Sequence, residues 1–227
     1  MNSFKNTARM VGALFLIAMA ASLVGGIGFV EPSLSSSDFL ASAVENQTQV
    51  RIGVLLELAN ALAVLGIGAL MYPVLKGHSE NAAVGYLALR IAEAVFCSLI
   101  VVTPLSIIGL GKDALLAGAG EAAAFQAAGI LSIANRAGIS SLLIPVFLGV
   151  GALVLYTTLY RSQLVPRYIA ARGLISAVLI LVLNLLLTFD IQLGDLAMVF
   201  ALPIITNEIY LGCYLIIKGF RPAQDPS

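Results

Sequence analysis

Charge is what this sequence has least of: only 11% of its 227 residues are Asp, Glu, Lys or Arg. A soluble domain carries about a quarter. A chain this poor in charge cannot cover itself with a wetted surface, so lipid must be the solvent for much of it. The charges that are present balance, twelve basic against twelve acidic, which argues against nucleic acid as a partner. Cysteine is scarce too. Cys97 and Cys213 both fall inside apolar runs, so no disulfide framework is expected, only two buried thiols. The single histidine, His78, sits in a polar turn beside Lys76 and Gly77, and no CxxC, HExxH or paired-histidine spacing occurs. A zinc site built from protein ligands is therefore not expected, nor is any other metal or cofactor.

What fills the chain instead is apolar: 60% of it is hydrophobic, with a mean hydropathy of +1.02. Six segments are long enough to cross a bilayer, approximately 10–30, 52–75, 82–109, 138–160, 168–189 and 196–217. Each must be helical, because only a helix satisfies its own backbone amides within one segment in lipid. The predicted fold is therefore an all-α integral membrane protein, one domain over 1–227 built as a six-transmembrane-helix bundle. The first segment imitates a secretory signal, with Lys5 and Arg9 ahead of the apolar run and Ala18-Met19-Ala20 resembling a cleavage site. Its apolar character continues to Val30, about 20 residues in all, so it is read as the first span. The stretch 111–138 is diluted by Gly, Glu121, Gln126, Asn135 and Arg136, and is expected to form a helix lying at the membrane surface.

Basic residues set the expected orientation. With the N-terminus in the cytoplasm, that side receives Lys5, Arg9, Lys76, Arg161, Arg167, Arg172, Lys218 and Arg221, and the other side only Arg51, Lys112 and Arg136. Eight against three is a positive-inside bias. Tyr72, Tyr86, Tyr156, Tyr160 and Tyr168 fall at the cytoplasmic ends of spans, where amphipathic rings favour the headgroup layer. Both termini and residue 78 are thus expected in the cytoplasm, with residues 40 and 192 outside.

Two C-terminal stretches, RSQLVPRYIAARGLISAVL (161–179) and ALPIITNEIYLGCYLIIKGF (201–220), resemble one group of proteins. ARMVGALFLIAM (8–19) and ALRIAEAVF (88–96) are similar to it as well. It is the bacterial multi-pass membrane family known as domain of unknown function 4386, and the resemblance runs over about residues 8 to 220. The chain departs from the pattern at 211–216, where no tryptophan stands. The resemblance implies a six-helix protein of the bacterial inner membrane and implies no activity.

ALRIAEAVF also holds the main chemical question, since Arg90 and Glu93 interrupt an otherwise apolar span. At a rise of 1.5 Å per residue, Arg90 lies roughly 12 Å and Glu93 roughly 16 Å from the cytoplasmic end, one turn apart on one face. Glu208 on the sixth span comes to roughly 14 Å. These three are predicted at one level, with Asn207 beside Glu208. Asn184 on span five is a further polar group, and Glu57 and Asn60 share a face in the outer half of span two. Charges inside the bilayer are tolerated when they face inward and pair. Two acids against one base leave one carboxylate over, and that one is expected to be protonated unless water or a substrate cation reaches it. Glu208 is the expected brace for Arg90, since it closes one helix on another, and Glu93 the protonated acid. Pro104 and Pro203 are expected to kink their helices and expose carbonyls near this cluster.

Three functions fit these residues. One is a carrier or accessory protein that binds an ion, a proton or a small amphiphile at the Arg90–Glu93–Glu208 level. Another is a membrane-embedded enzyme of the isoprenoid cyclase or isomerase type, with a buried glutamate as general acid. The last is a structural partner whose buried salt bridge fixes the bundle. No nucleophile or phosphate-binding motif favours the enzyme.

Overall fold

The computed structural model describes residues 2–117, 121–189, 191, 193–194 and 196–221, and every regular element among them is helical. Helix α1 (Asn2–Ser22) runs through a π-helical segment (Leu23–Val30) into the short α2 (Glu31–Leu34), followed by α3 (Phe39–Glu45) and α4 (Gln47–Lys76). Then come α5 (Glu80–Leu99), α6 (Val102–Leu116), α7 (Ala122–Gly138), a second π-helical segment (Ile139–Leu143) and α8 (Ile144–Ser162). Helices α9 (Arg167–Thr188) and α10 (Leu196–Ile217) complete the chain. Local chemistry places the ends. Ser79 Oγ accepts the Ala82 N–H at 3.3 Å and starts α5. Gln163 stops α8 with a left-handed φ of 54°, and Pro166 stands immediately before α9.

Six helical stretches are long and apolar enough to cross a membrane: Phe4–Leu34, Gln47–Lys76, Glu80–Leu116, Ala122–Ser162, Arg167–Thr188 and Leu196–Ile217. They pack as a closed ring in chain order, α1 on α4, α4 on α5, α5 on α8, α8 on α9, α9 on α10, and α10 back on α1. The closing contact is tight: a Cβ on Gly12 would lie 2.5 Å from the Gly212 carbonyl oxygen, so only glycine lets these two backbones approach so closely. The Phe4 and Phe220 rings meet at 5.3 Å, and the Arg221 N–H donates to Leu164 O at 2.8 Å. Both ends of the described chain and the 163–166 turn therefore share one end of the bundle. Residue 192, expected at the other end, lies outside the described residues.

One expectation is overturned at that other end. The described part of 111–138 is not a separate surface helix: α7 continues through the second π segment into α8 as one 41-residue stretch. Such a helix is about 60 Å long against about 30 Å of hydrocarbon. With the 37-residue Glu80–Leu116 stretch, it outruns the bilayer and packs as a hairpin. Leu34, Phe39, Leu40, Val50, Ile107 and Ile108 form a second small core there, with Phe125 and Ile133 against it. The polar residues that dilute 111–138 belong to α7, which is continuous with α8 and packs on α6. Cys213 also departs from expectation, being exposed on the outside of the bundle, whereas Cys97 is buried.

Candidate functional site

Arg90 is 2% exposed, and its place under α4 depends on Gly68, where a Cβ would come within 2.8 Å of the Arg90 Cβ. Its guanidinium lies 5.3 Å from the Tyr86 ring centre and 5.8 Å from that of Phe15. Nε donates to Tyr86 Oη at 2.9 Å, and Nη1 donates to both oxygens of Glu93 at 3.2 and 3.0 Å. Nη2 reaches Glu208 Oε1 only at 3.6 Å and has no hydrogen-bond partner among the described residues. Arg90, Glu93 and Glu208 thus meet, but the closer partner of Arg90 is Glu93 and not Glu208. Glu93, one turn along the same helix, is the acid held by hydrogen bonds; Glu208, on α10 across the ring, is the loosely paired one. A three-residue helical spacing brings the side chains together without adjusting any helix packing.

A cavity of about 290 Å³ opens beside these groups. Arg90, Glu93, Glu208, Asn60 and Ser22 supply its polar wall, and Phe15, Met19, Leu23, Val64, Ile144 and Ile204 are among its apolar residues. Five of the six spans contribute; α9 does not. Asn60 also lies against Cys97, another lining residue. Asn207 and Asn184 are not in the lining. Asn207 is fully buried beside Tyr156, and neither its amide nor the Tyr156 hydroxyl completes a hydrogen bond among the described residues. Asn184 is 3% exposed on α9, its Oδ1 likewise without a partner among the described residues.

Glu57 belongs to a different cluster, one that sequence reading missed. Arg136, expected among the outer-side charges, is 4% exposed, inside the bundle. It donates from Nη1 and Nη2 to the two Glu57 oxygens, from Nε and Nη2 to Glu31 Oε1 at 3.3 Å, and from Nη1 to Ile100 O at 2.7 Å. The last bond has a specific cause. Pro104 has no N–H, so the carbonyl four residues earlier, that of Ile100, loses its helical donor. Arg136 supplies one. The π segments end beside Glu31 and begin three residues after Arg136, and the extra residue in a π turn re-aims the side chains around it. Gly26 leaves room for the Glu57 carboxylate, which a Cβ there would approach to 3.2 Å. The available signal in sequence was arithmetic: Glu57, a buried acid, had no base assigned to it.

A family model described as "Domain of unknown function (DUF4386)" matches residues 10–219. The chain belongs to this family. No curated protein and no solved structure matches it. Membership agrees with the six apolar helices and leaves the chemistry to be read from the cavity.

Proposed function

We propose that this membrane protein binds a small amphiphile carrying a cationic head group in the intramembrane cavity, with Glu208 as its counter-ion. One observation carries the reading. The cavity wall holds one arginine and two glutamates, and the arginine's hydrogen bonds go to Glu93 and Tyr86 rather than to Glu208. Glu208 is left with only the 3.6 Å pair. With all three ionised, the cluster carries one excess negative charge at a site walled by apolar side chains, and a monocation with an apolar tail balances both. The volume is at the small end of ligand sites, which run from about 300 to 1,000 Å³. The reading includes an orientation with both termini in the cytoplasm, supported by the basic residues at that end. External labelling of a cysteine placed at residue 78 would reverse it.

Cys97 provides the binding test. With Cys213 changed to serine, Cys97 is the only thiol in the chain and it lines the cavity. Decylamine should slow its reaction with N-ethylmaleimide in lipid nanodiscs, decanoate should not, and Glu208→Gln should abolish the protection. Equal protection by amine and carboxylate, or protection that survives Glu208→Gln, overturns the reading. A cyclase or isomerase would also depend on Glu208, the cavity acid that Arg90 does not hydrogen-bond, but no further group in the lining favours that chemistry.

A further inference from the structure

A second, larger pocket of about 690 Å³ lies at the end of the bundle that carries the termini, between the start of α5 and the end of α8. Its polarity is graded. His78, Ser79 and Asn81 stand at the beginning of α5, with Arg161 and Ser162 opposite at the end of α8. Deeper along the same two walls come Gly85 and Val154. Each is seven positions from His78 and Arg161 respectively, about 10 Å along its helix. The pocket therefore turns from a polar mouth that carries the Arg161 charge, past Thr157 and Thr158, to Gly85 and Val154 at its depth, the order of polarity of an amphiphile.

We infer that this pocket holds the phosphate head group of an anionic membrane lipid at Arg161 and Ser162, with the start of an acyl chain against Gly85 and Val154. Arg161 has no ion-pair partner among the described residues, and Glu80, in the first turn of α5, is engaged by Lys76 at 3.0 Å. The charge of Arg161 is therefore not cancelled locally. Ser162 is part of the pocket lining, and its buried hydroxyl, one side-chain rotation from the mouth, completes no hydrogen bond among the described residues. An arginine beside a hydroxyl donor suits a phosphate oxygen, and arginine binds phosphate through a planar fork. The terminus of α5 is already capped by Ser79, so recognition rests on the side chains of α8 rather than on a helix end. Tyr160, exposed beside Arg161, has the Arg167 guanidinium 5.7 Å from its ring centre, an arrangement suited to the headgroup layer. A free phosphate ion would use the mouth alone; the apolar depth favours a lipid.

Two variants separate these parts. Arg161→Gln removes the charge. Gly85→Leu fills the depth, since a Cβ at Gly85 meets nothing within 4 Å, and it leaves every charge in place. Native mass spectrometry of the full chain, released from nanodiscs mixing dioleoylphosphatidylglycerol with dioleoylphosphatidylcholine, should show retained phosphatidylglycerol. Both variants should lower that retention at least tenfold while keeping the parent's circular dichroism, and millimolar inorganic phosphate should not displace the lipid. Equal retention of the two lipids, or parent-like retention in Gly85→Leu, overturns the inference. Displacement by inorganic phosphate would make this a free-anion site and overturn it as well. None of these outcomes bears on Glu208 and the intramembrane cavity.

Discussion

Two arginines are buried in this bundle, each facing two glutamates, and they differ in how completely they are satisfied. Arg136 uses every nitrogen: Glu57, Glu31 and the Ile100 carbonyl take all its donors across three helical walls. Arg90 leaves Nη2 without a hydrogen bond and Glu208 at 3.6 Å, beside a cavity. The same residue types thus make a brace in one place and a candidate binding site in the other. A buried charge with all its hydrogen bonds made has little left to offer a ligand, whereas an incompletely matched one can be completed by a ligand. Composition is the same in both clusters. Saturation differs.

The comparison can be broken most directly at Arg136. Arg136→Ala strands the buried Glu57 carboxylate and the Ile100 carbonyl together, and should cost about 3–5 kcal/mol. Chemical unfolding in detergent measures it; a variant as stable as the parent would remove Arg136 as a brace. Arg90→Ala should cost less, about 2–3 kcal/mol, since it strands Glu93 while Glu208 faces a cavity that water can fill. A larger loss than at Arg136 would reverse the assignment of brace and site.

The two inner acids sharpen the comparison on a smaller scale. Glu93→Gln weakens two bonds from Arg90 and should cost about 1–2 kcal/mol. Glu208→Gln, which removes only a long pair, should stay within about 0.5 kcal/mol of the parent. The opposite order in thermal unfolding would restore Glu208 as the brace. The smallest change is expected at Pro104→Ala. It gives the helix back an N–H for Ile100 O, competing with Arg136 for that carbonyl, and should shift stability by less than about 1 kcal/mol. A large loss would mean that the proline bend itself positions Arg136.

The spans and the inner triad were legible in sequence, because both rest on local spacing. Arg90 and Glu93 are three residues apart on one helix, and Glu208 could be set at their level from helix rise alone. Their division of labour was not legible. Choosing Glu208 as the partner assumed that closing the bundle would win, but the i,i+3 pair forms without requiring any helix to shift. The reading of 111–138 failed for another reason. Scattered polar residues describe a separate helix and the continuation of a span equally well, and the run of α7 into α8 with its packing on α6 decides between them.

By itself the sequence determined that the chain is helical, crosses six times and carries charge within its spans. These follow from a local requirement: in lipid each segment must satisfy its own backbone, and each buried charge must face inward. Only the tertiary structure decided which charge meets which. Arg136 pairs with residues 79 and 105 positions away, and α10 closes on α1 at opposite ends of the chain. No local rule reaches over such separations, because the pairing is set by how the ring of helices closes, and that closure also leaves one arginine saturated and the other beside an open cavity.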